Sequence, residues 1–185
     1  LYKERNPEQR RVFLEQIALI APEDRVYMDE AGMEDTLDYA YGWSRKGTRC
    51  FAEKLGHRTQ RISMIAAWCC NTKGTGNKGR GKVLAPFTFQ GYCDSVMVEA
   101  WFETFLLPLL RPGQVVILDN ASFHRKARLQ ELLQSVGCRL LALPTYSPDL
   151  NKIEPLWNTI KQRVCSVNPK NHSFWDKVDA AICSL

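Results

Sequence analysis

Apolar residues along the chain fall into three kinds of pattern, and each predicts an element. Phe13, Ile17 and Ile20 recur at helical spacing behind Asn6-Pro7, an N-cap followed by a ring suited to the first helical turn, and Pro22 closes that stretch. Val26-Tyr27-Met28 reads as a short strand running into Asp29-Glu30, and residues 31–60 are mixed and turn-rich. Strands follow at 61–70 and 83–90, joined as a hairpin through a long glycine-rich basic tip. Asp94 can cap a helix that puts Val98, Trp101, Phe102, Phe105 and Leu109 on one face, ended by Arg111-Pro112-Gly113. Val115-Val116-Ile117-Leu118 is unbroken, the pattern of a strand buried on both faces, and it delivers Asp119-Asn120 at its C-terminal end. A helix from about Ser122 places Leu129, Leu132, Leu133 and Val136 together and stops at Gly137. Arg139 to Ala142 is a short strand. After the turn at Pro144, Ser147 and Pro148, a helix turns Ile153, Leu156, Trp157, Ile160 and Val164 inward. A capping box, Ser173 to Asp176, opens the last helix. A hairpin-rich first half followed by alternating helix and strand is an α/β layer pattern, a mixed sheet with helices on its faces.

The 185 residues suit one domain with a sizeable core, and 45% apolar with 24% charged residues is the composition of a globular chain. No apolar run is long enough for a transmembrane helix, and the N-terminus has no secretory h-region. The seven cysteines are odd in number and contain no C-x-x-C, which reads as reduced thiols in a cytoplasmic protein. With three histidines besides, they make a poor zinc site. The net charge of +5 is unevenly spread: residues 42–82 hold ten Lys or Arg against Glu53 alone, or +9, leaving the rest of the chain at −4. The mild basic excess permits nucleic acid as a partner without demanding it, and its mean conceals a basic stretch beside an acidic remainder.

Three carboxylates stand where α/β sheets build their sites. Asp29 ends the first strand, Asp119 ends the buried strand, and Glu154 lies near the start of the helix after Pro148, at the border of its apolar face. Brought together, three carboxylates repel unless a cation neutralises them, and their oxygens suit Mg²⁺ or Mn²⁺. Two such ions can clamp a phosphodiester. Taken singly, the same residues could be a strand-end turn former, a helix cap and an acid favoured at a helix N-terminus. Spacing alone leaves the two readings level.

The words around these acids separate them. Leu118 to His124 (LDNASFH) and Tyr146 to Trp157 (YSPDLNKIEPLW) resemble the second and third catalytic motifs of mariner-type DDE transposases, most of all the bacterial insertion-sequence branch. Tyr27 to Gly32 looks like the first, weaker motif, and thirty-four residues lie between Asp119 and Glu154, the spacing of that superfamily. The resemblance spans roughly residues 25–165. It implies a ribonuclease H-like fold with a five-stranded mixed sheet. It also implies two Mg²⁺ or Mn²⁺ ions held by Asp29, Asp119 and Glu154, with Asp29 bridging both. The activity implied is cleavage of double-stranded DNA at transposon ends and joining of the freed 3′-hydroxyl to a target, usually at TA, by a homodimer on paired ends. Asn120 and His124 match the second motif as groups behind the ligands or against DNA. The setting implied is a bacterial cytoplasm, at the nucleoid.

Two departures stand out. Lys152 occupies the place where the family commonly has proline. Only about 24 residues, a helical lead-in, precede the catalytic domain at 25–185, too few for the family's helix-turn-helix module, so the chain reads as a catalytic part lacking most end specificity. The same fold would also serve a ribonuclease H, a junction-resolving nuclease, or a non-catalytic DNA-binding module from a decayed element.

Gly76 to Lys82 matches G-x-x-x-x-G-K, but Val83 follows in place of Ser or Thr and a strand in place of a helix, so nucleotide binding is rejected. Lys73, Lys78, Arg80 and Lys82 are instead expected on DNA phosphates. Trp43 and Lys46 read equally as a DNA-facing patch or as ordinary packing and solvated charge, and Trp157 reads as core.

Overall fold

The computed structural model describes residues 4–35, 43–51, 60–70, 81–166 and 173–184. Helix α1 (Pro7–Ala18) begins at Asn6, whose side chain accepts from the N–H groups of Glu8 and Gln9. Then come β1 (Arg25–Glu34), β2 (Arg61–Cys69), β3 (Lys82–Gln90), α2 (Ser95–Trp101), β4 (Val115–Leu118), α3 (Lys126–Ser135), β5 (Arg139–Ala142), α4 (Glu154–Ser166) and α5 (Phe174–Cys183). The sheet runs β3-β2-β1-β4-β5. The β1, β2 and β3 part is antiparallel, and β1, β4 and β5 are parallel, so the sheet is mixed as expected.

Alternation along the strands divides the core in two. Tyr27, Met33, Ile62, Met64, Val115 and Ile117 face one layer, built from α1, α4 and α5. Val26, Met28, Ile65, Val116 and Leu118 face the other, against α2 and α3. All four residues of β4 are fully buried, because helices cover it on both faces and strands flank it on both sides. Among the described residues no helix is long and apolar enough to cross a membrane.

Four boundaries differ from the sequence reading, each for a local reason. Strand β1 runs on to Glu34 because β2 pairs with it along nine residues, turning residues 31–34 from loop into ladder. The helix after Asp94 does not keep one face to Leu109. It widens into a π turn over Phe102–Leu106, ahead of Pro108, which has no N–H to give, and tightens over Leu107–Leu109. The face rotates as a result, and Phe105 and Leu109 are 42% and 50% exposed. Helix α3 starts at Lys126, not Ser122, because residues 119–125 are committed to the site described below. The third helix of the parallel half starts at Glu154 itself, after a tight turn over Pro148–Leu150. Gly137 ends α3 as expected, with φ 71°, and the Ser173–Asp176 capping box is made in both directions.

Candidate metal centre

The register of β1 and β4 places the two aspartates. Arg25, Val26 and Tyr27 pair with Val115, Val116 and Ile117 in parallel. Two residues beyond Tyr27 and Ile117, the last pair of that ladder, come Asp29, still within β1, and Asp119, just past the end of β4. The face of Tyr27 and Ile117 carries α4, whose first residue is Glu154. All three carboxylates line one cleft of about 390 Å³, closed on its far side by the Pro144–Asn151 loop.

Asp29 is the most deeply set. Its Oδ1 accepts from the Glu30 N–H at 2.9 Å, and its Oδ2 accepts from the Trp157 indole Nε1 at 3.3 Å. Trp157 is thus core, as the sequence predicts, with its polar tip turned to the site. Burial raises the Asp29 carboxyl to about 7, the charges of Glu30, Glu154 and Asp119 add to the rise, and the Glu30 N–H offsets part of it.

Asp119 is half exposed and goes the other way. Burial would raise it, but the His124 ring, the Ala121 N–H at 3.0 Å and the charge of Lys126 together bring it below the usual value. His124 links the two strand ends. Its side chain is 1% exposed, Nε2 lies 2.9 Å from Glu30 Oε1, and Nδ1 lies 3.1 Å from Asp119 Oδ1. The Nδ1 contact falls outside hydrogen-bond angles, so it acts as an ion pair, not as a directed bond. Burial pulls the imidazole down, and the two carboxylates outweigh it and lift it to about 9, so the ring is a cation at neutral pH. Asn120 does not enter this pair. Its Nδ2 donates to the Leu143 carbonyl and its Oδ1 accepts from Lys126 Nζ, tying the end of β4 to the cleft wall.

The donor set fits a hard divalent cation in its chemistry: carboxylate oxygens, one of them raised to about 7, first by burial and then by its neighbours' charge. Among the described residues, however, no three His, Cys, Asp or Glu side chains stand close enough to hold an ion as they are. The aspartates are side by side, and Glu154 acts on Asp29 by charge from the α4 side.

Sequence reasoning missed three residues here. Glu30 partners His124, and the signal was its place beside Asp29 with the opposite side-chain direction. Asn151, 5% exposed, lines the cleft with an Oδ1 that has no hydrogen-bond partner. Tyr146 lines it with a left-handed φ of 52°. Lys82 opens β3, while Lys73, Lys78 and Arg80 lie outside the described residues. Trp43 and Lys46 are exposed. No disulfide joins the cysteines, and burial pushes the Cys69, Cys70, Cys93 and Cys138 thiols up.

Comparison with known proteins bears on the whole of this arrangement. Residues 24–174 match the family model described as DDE superfamily endonuclease. The transposable element Tc1 transposase of Caenorhabditis elegans is 31% identical over 86 residues, which is 44% of this chain and 32% of that protein. The Mos1 strand transfer complex superposes with a TM-score of 0.69 at 12% identity, over 96% of this chain and 51% of the Mos1 chain. The Mos1 mariner paired-end complex with Mn gives 0.62 at 12% identity, over 96% of this chain and 60% of that one. At such identity the likeness is one of fold, and the chain spans about a third of the Tc1 protein and about half of the first Mos1 chain. The mixed five-stranded sheet is therefore the ribonuclease H-like fold, and the chain belongs to the DDE superfamily of endonucleases.

Proposed function

We propose that the chain is the catalytic part of a mariner-type transposase of the bacterial insertion-sequence branch. It cuts double-stranded DNA at transposon ends and transfers the freed 3′-hydroxyl into target DNA, as a homodimer on paired ends, in the bacterial cytoplasm at the nucleoid. The observation that carries this is that Asp29, within β1, and Asp119, just past the end of its parallel neighbour β4, line one cleft together with Glu154, the first residue of α4. The bacterial branch rests on the wording of the third motif, Ser147 to Glu154. Likeness to Mos1 complexes favours DNA and the paired state, and the presence of Mn in one of them favours a divalent ion.

Asp29, Asp119 and Glu154 would hold two Mg²⁺ or Mn²⁺ ions. When bound, the ions activate the attacking oxygen and stabilise the leaving one across the scissile phosphodiester. The protein's own part is preparation. Asp29 gives up its proton as the cation arrives, and the Trp157 indole fixes the rotation of its carboxyl. The His124 cation holds Asp119 and Glu30 at the adjoining strand ends. Asn120 ties the end of β4 to the wall that faces the DNA. No covalent protein intermediate is required.

Nicking of a transposon-end duplex in Mg²⁺ tests the reading. Asp119→Ala should lose about a thousandfold or more in rate while keeping its fold, read by circular dichroism. Undiminished nicking by that variant would sink the assignment. An RNA–DNA hybrid and a four-way junction, run in parallel, distinguish a transposase from a ribonuclease H or a resolving nuclease.

A further inference from the structure

Helix α1 touches the cleft through its polar side. Arg10 Nη1 and Nη2 donate to Asp149 Oδ1 and Oδ2 at 2.9 and 2.7 Å, a two-pronged pair between residues 139 apart in sequence. One residue earlier, Gln9 Oε1 accepts from the Thr145 hydroxyl at 3.2 Å. Two consecutive residues of α1 thus reach two points of the loop that joins β5 to α4.

That loop is the far wall of the cleft. Between the two anchored points sits Tyr146, in a left-handed conformation that bulky residues rarely adopt. Beyond Asp149 the chain passes through buried Asn151 and reaches Glu154 three residues later. The hydrogen bonds made by the Ser147 hydroxyl and by the Leu150 and Asn151 N–H groups close inside the loop, on Thr145, Ser147 and Pro148. They shape the loop from within, while Leu150 packs it against the core at its α4 end. Pro144 and Thr145 line both the cleft and a groove of about 420 Å³ along α1, so a shift of the Thr145 anchor changes both spaces. Helix α1 does not depend on the clasp for its own place, since Asn6 caps it and Phe13 and Ile17 bury it in the core. An exposed ion pair contributes little to stability. Here the Arg10 side chain is 15% exposed and Asp149 55%, so the two-pronged pair acts locally, on the loop, more than on global stability.

We infer that Arg10, seconded by Gln9, is a positioning residue of the cleft: through Asp149 and Thr145 it holds the 144–152 loop in the conformation that presents Tyr146 at the mouth and sets Glu154 toward Asp29 and Asp119. The catalytic consequence rests on the proposed function, whereas the holding of the loop does not.

Amide hydrogen exchange and Mn²⁺-dependent nicking, measured on the wild type, Arg10→Ala, Asp149→Ala, Arg10→Lys and the swap Arg10→Asp/Asp149→Arg, test it. Each alanine variant should speed exchange at 144–152 by about tenfold or more, with the rest of the domain within about twofold. Turnover should fall about tenfold or more at a half-saturating DNA concentration within about twofold of wild type. Arg10→Lys, with one prong, should fall between, and the swap should restore both readouts. Unchanged exchange at 144–152 in both alanine variants overturns the inference, as does lost turnover that the swap does not recover. If the wild type itself neither binds Mn²⁺ nor nicks, the functional reading fails, and the exchange data still decide the clasp.

Discussion

In the metal-free chain the Asp29 carboxyl titrates at about 7, which makes the cleft's readiness for a cation a question of pH. A bound ion requires the ionised form, so protons compete with it below that value. Mn²⁺ affinity should rise about tenfold between pH 6 and pH 8, read by calorimetry, and a flat profile would contradict the assignment. The same raised value lowers stability. An unfolded Asp loses its proton near 3.8, the folded one near 7, so the metal-free fold loses stability as pH rises through that window. Asp29→Asn should therefore raise the melting temperature at pH 8, leave it nearly unchanged at pH 3, and remove the stabilisation that Mn²⁺ gives. His124 contributes with its own sign. Its value is lifted, so its contribution is complete below about 6.5 and is lost as pH rises through about 9. His124→Ala leaves Glu30, 13% exposed, without its partner, and should cost about 2–3 kcal/mol at neutral pH in denaturant unfolding. The acids were legible in the sequence because Asp119 and Glu154 adjoin the ends of recognisable elements and Asp29 follows the apolar run that opens β1. Glu30 was not, because its role arises from a ring 94 residues away that only the folded sheet brings to it.

At the scale of elements, β1 and β4 make the site by register, and β4 is the member least tolerant of change. Leu118 is fully buried one residue before Asp119, and Leu118→Ala should cost about 2–5 kcal/mol and disturb the aspartate pair as well. Ser173→Ala at the capping box of α5, remote from the cleft, should cost about 1 kcal/mol and leave metal affinity unchanged. Strands and helices with a clean period were readable: the all-apolar run of β4, the capped start of α1, the glycine stop of α3. The errors fall where a tertiary demand overrides local pattern. Residues 31–34 become strand only because β2 supplies the partner ladder. The stretch 119–125 stays out of helix because Asp119 takes the Ala121 N–H and His124 turns to Glu30. The π turn before Pro108 is a backbone solution that no side-chain period announces.

Across the whole molecule, charge is unevenly spread, with three of the twenty acids lining the cleft and ten of the twenty-five Lys and Arg within residues 42–82. If the glycine-rich segment meets DNA phosphates, replacing Lys73, Lys78, Arg80 and Lys82 by Gln should weaken DNA binding alike on all sequences and flatten the slope of log affinity against log salt by about 3 to 4. A slope unchanged by all four replacements would place the contacts elsewhere. The family is carried by residues 24–174 as a unit, and the fold is legible at that scale because layer order follows from element order. The cleft is less so, since its far wall is set by contacts between α1 and a loop more than a hundred residues later. The account comes down to one claim, that Asp29, Asp119 and Glu154 share a divalent metal site. Anomalous diffraction from a crystal soaked in Mn²⁺ tests it most directly. The prediction is density in the cleft in contact with oxygens of all three carboxylates, absent from Asp119→Ala crystals. A clean map with no peak there, or one that Asp119→Ala leaves in place, would contradict it.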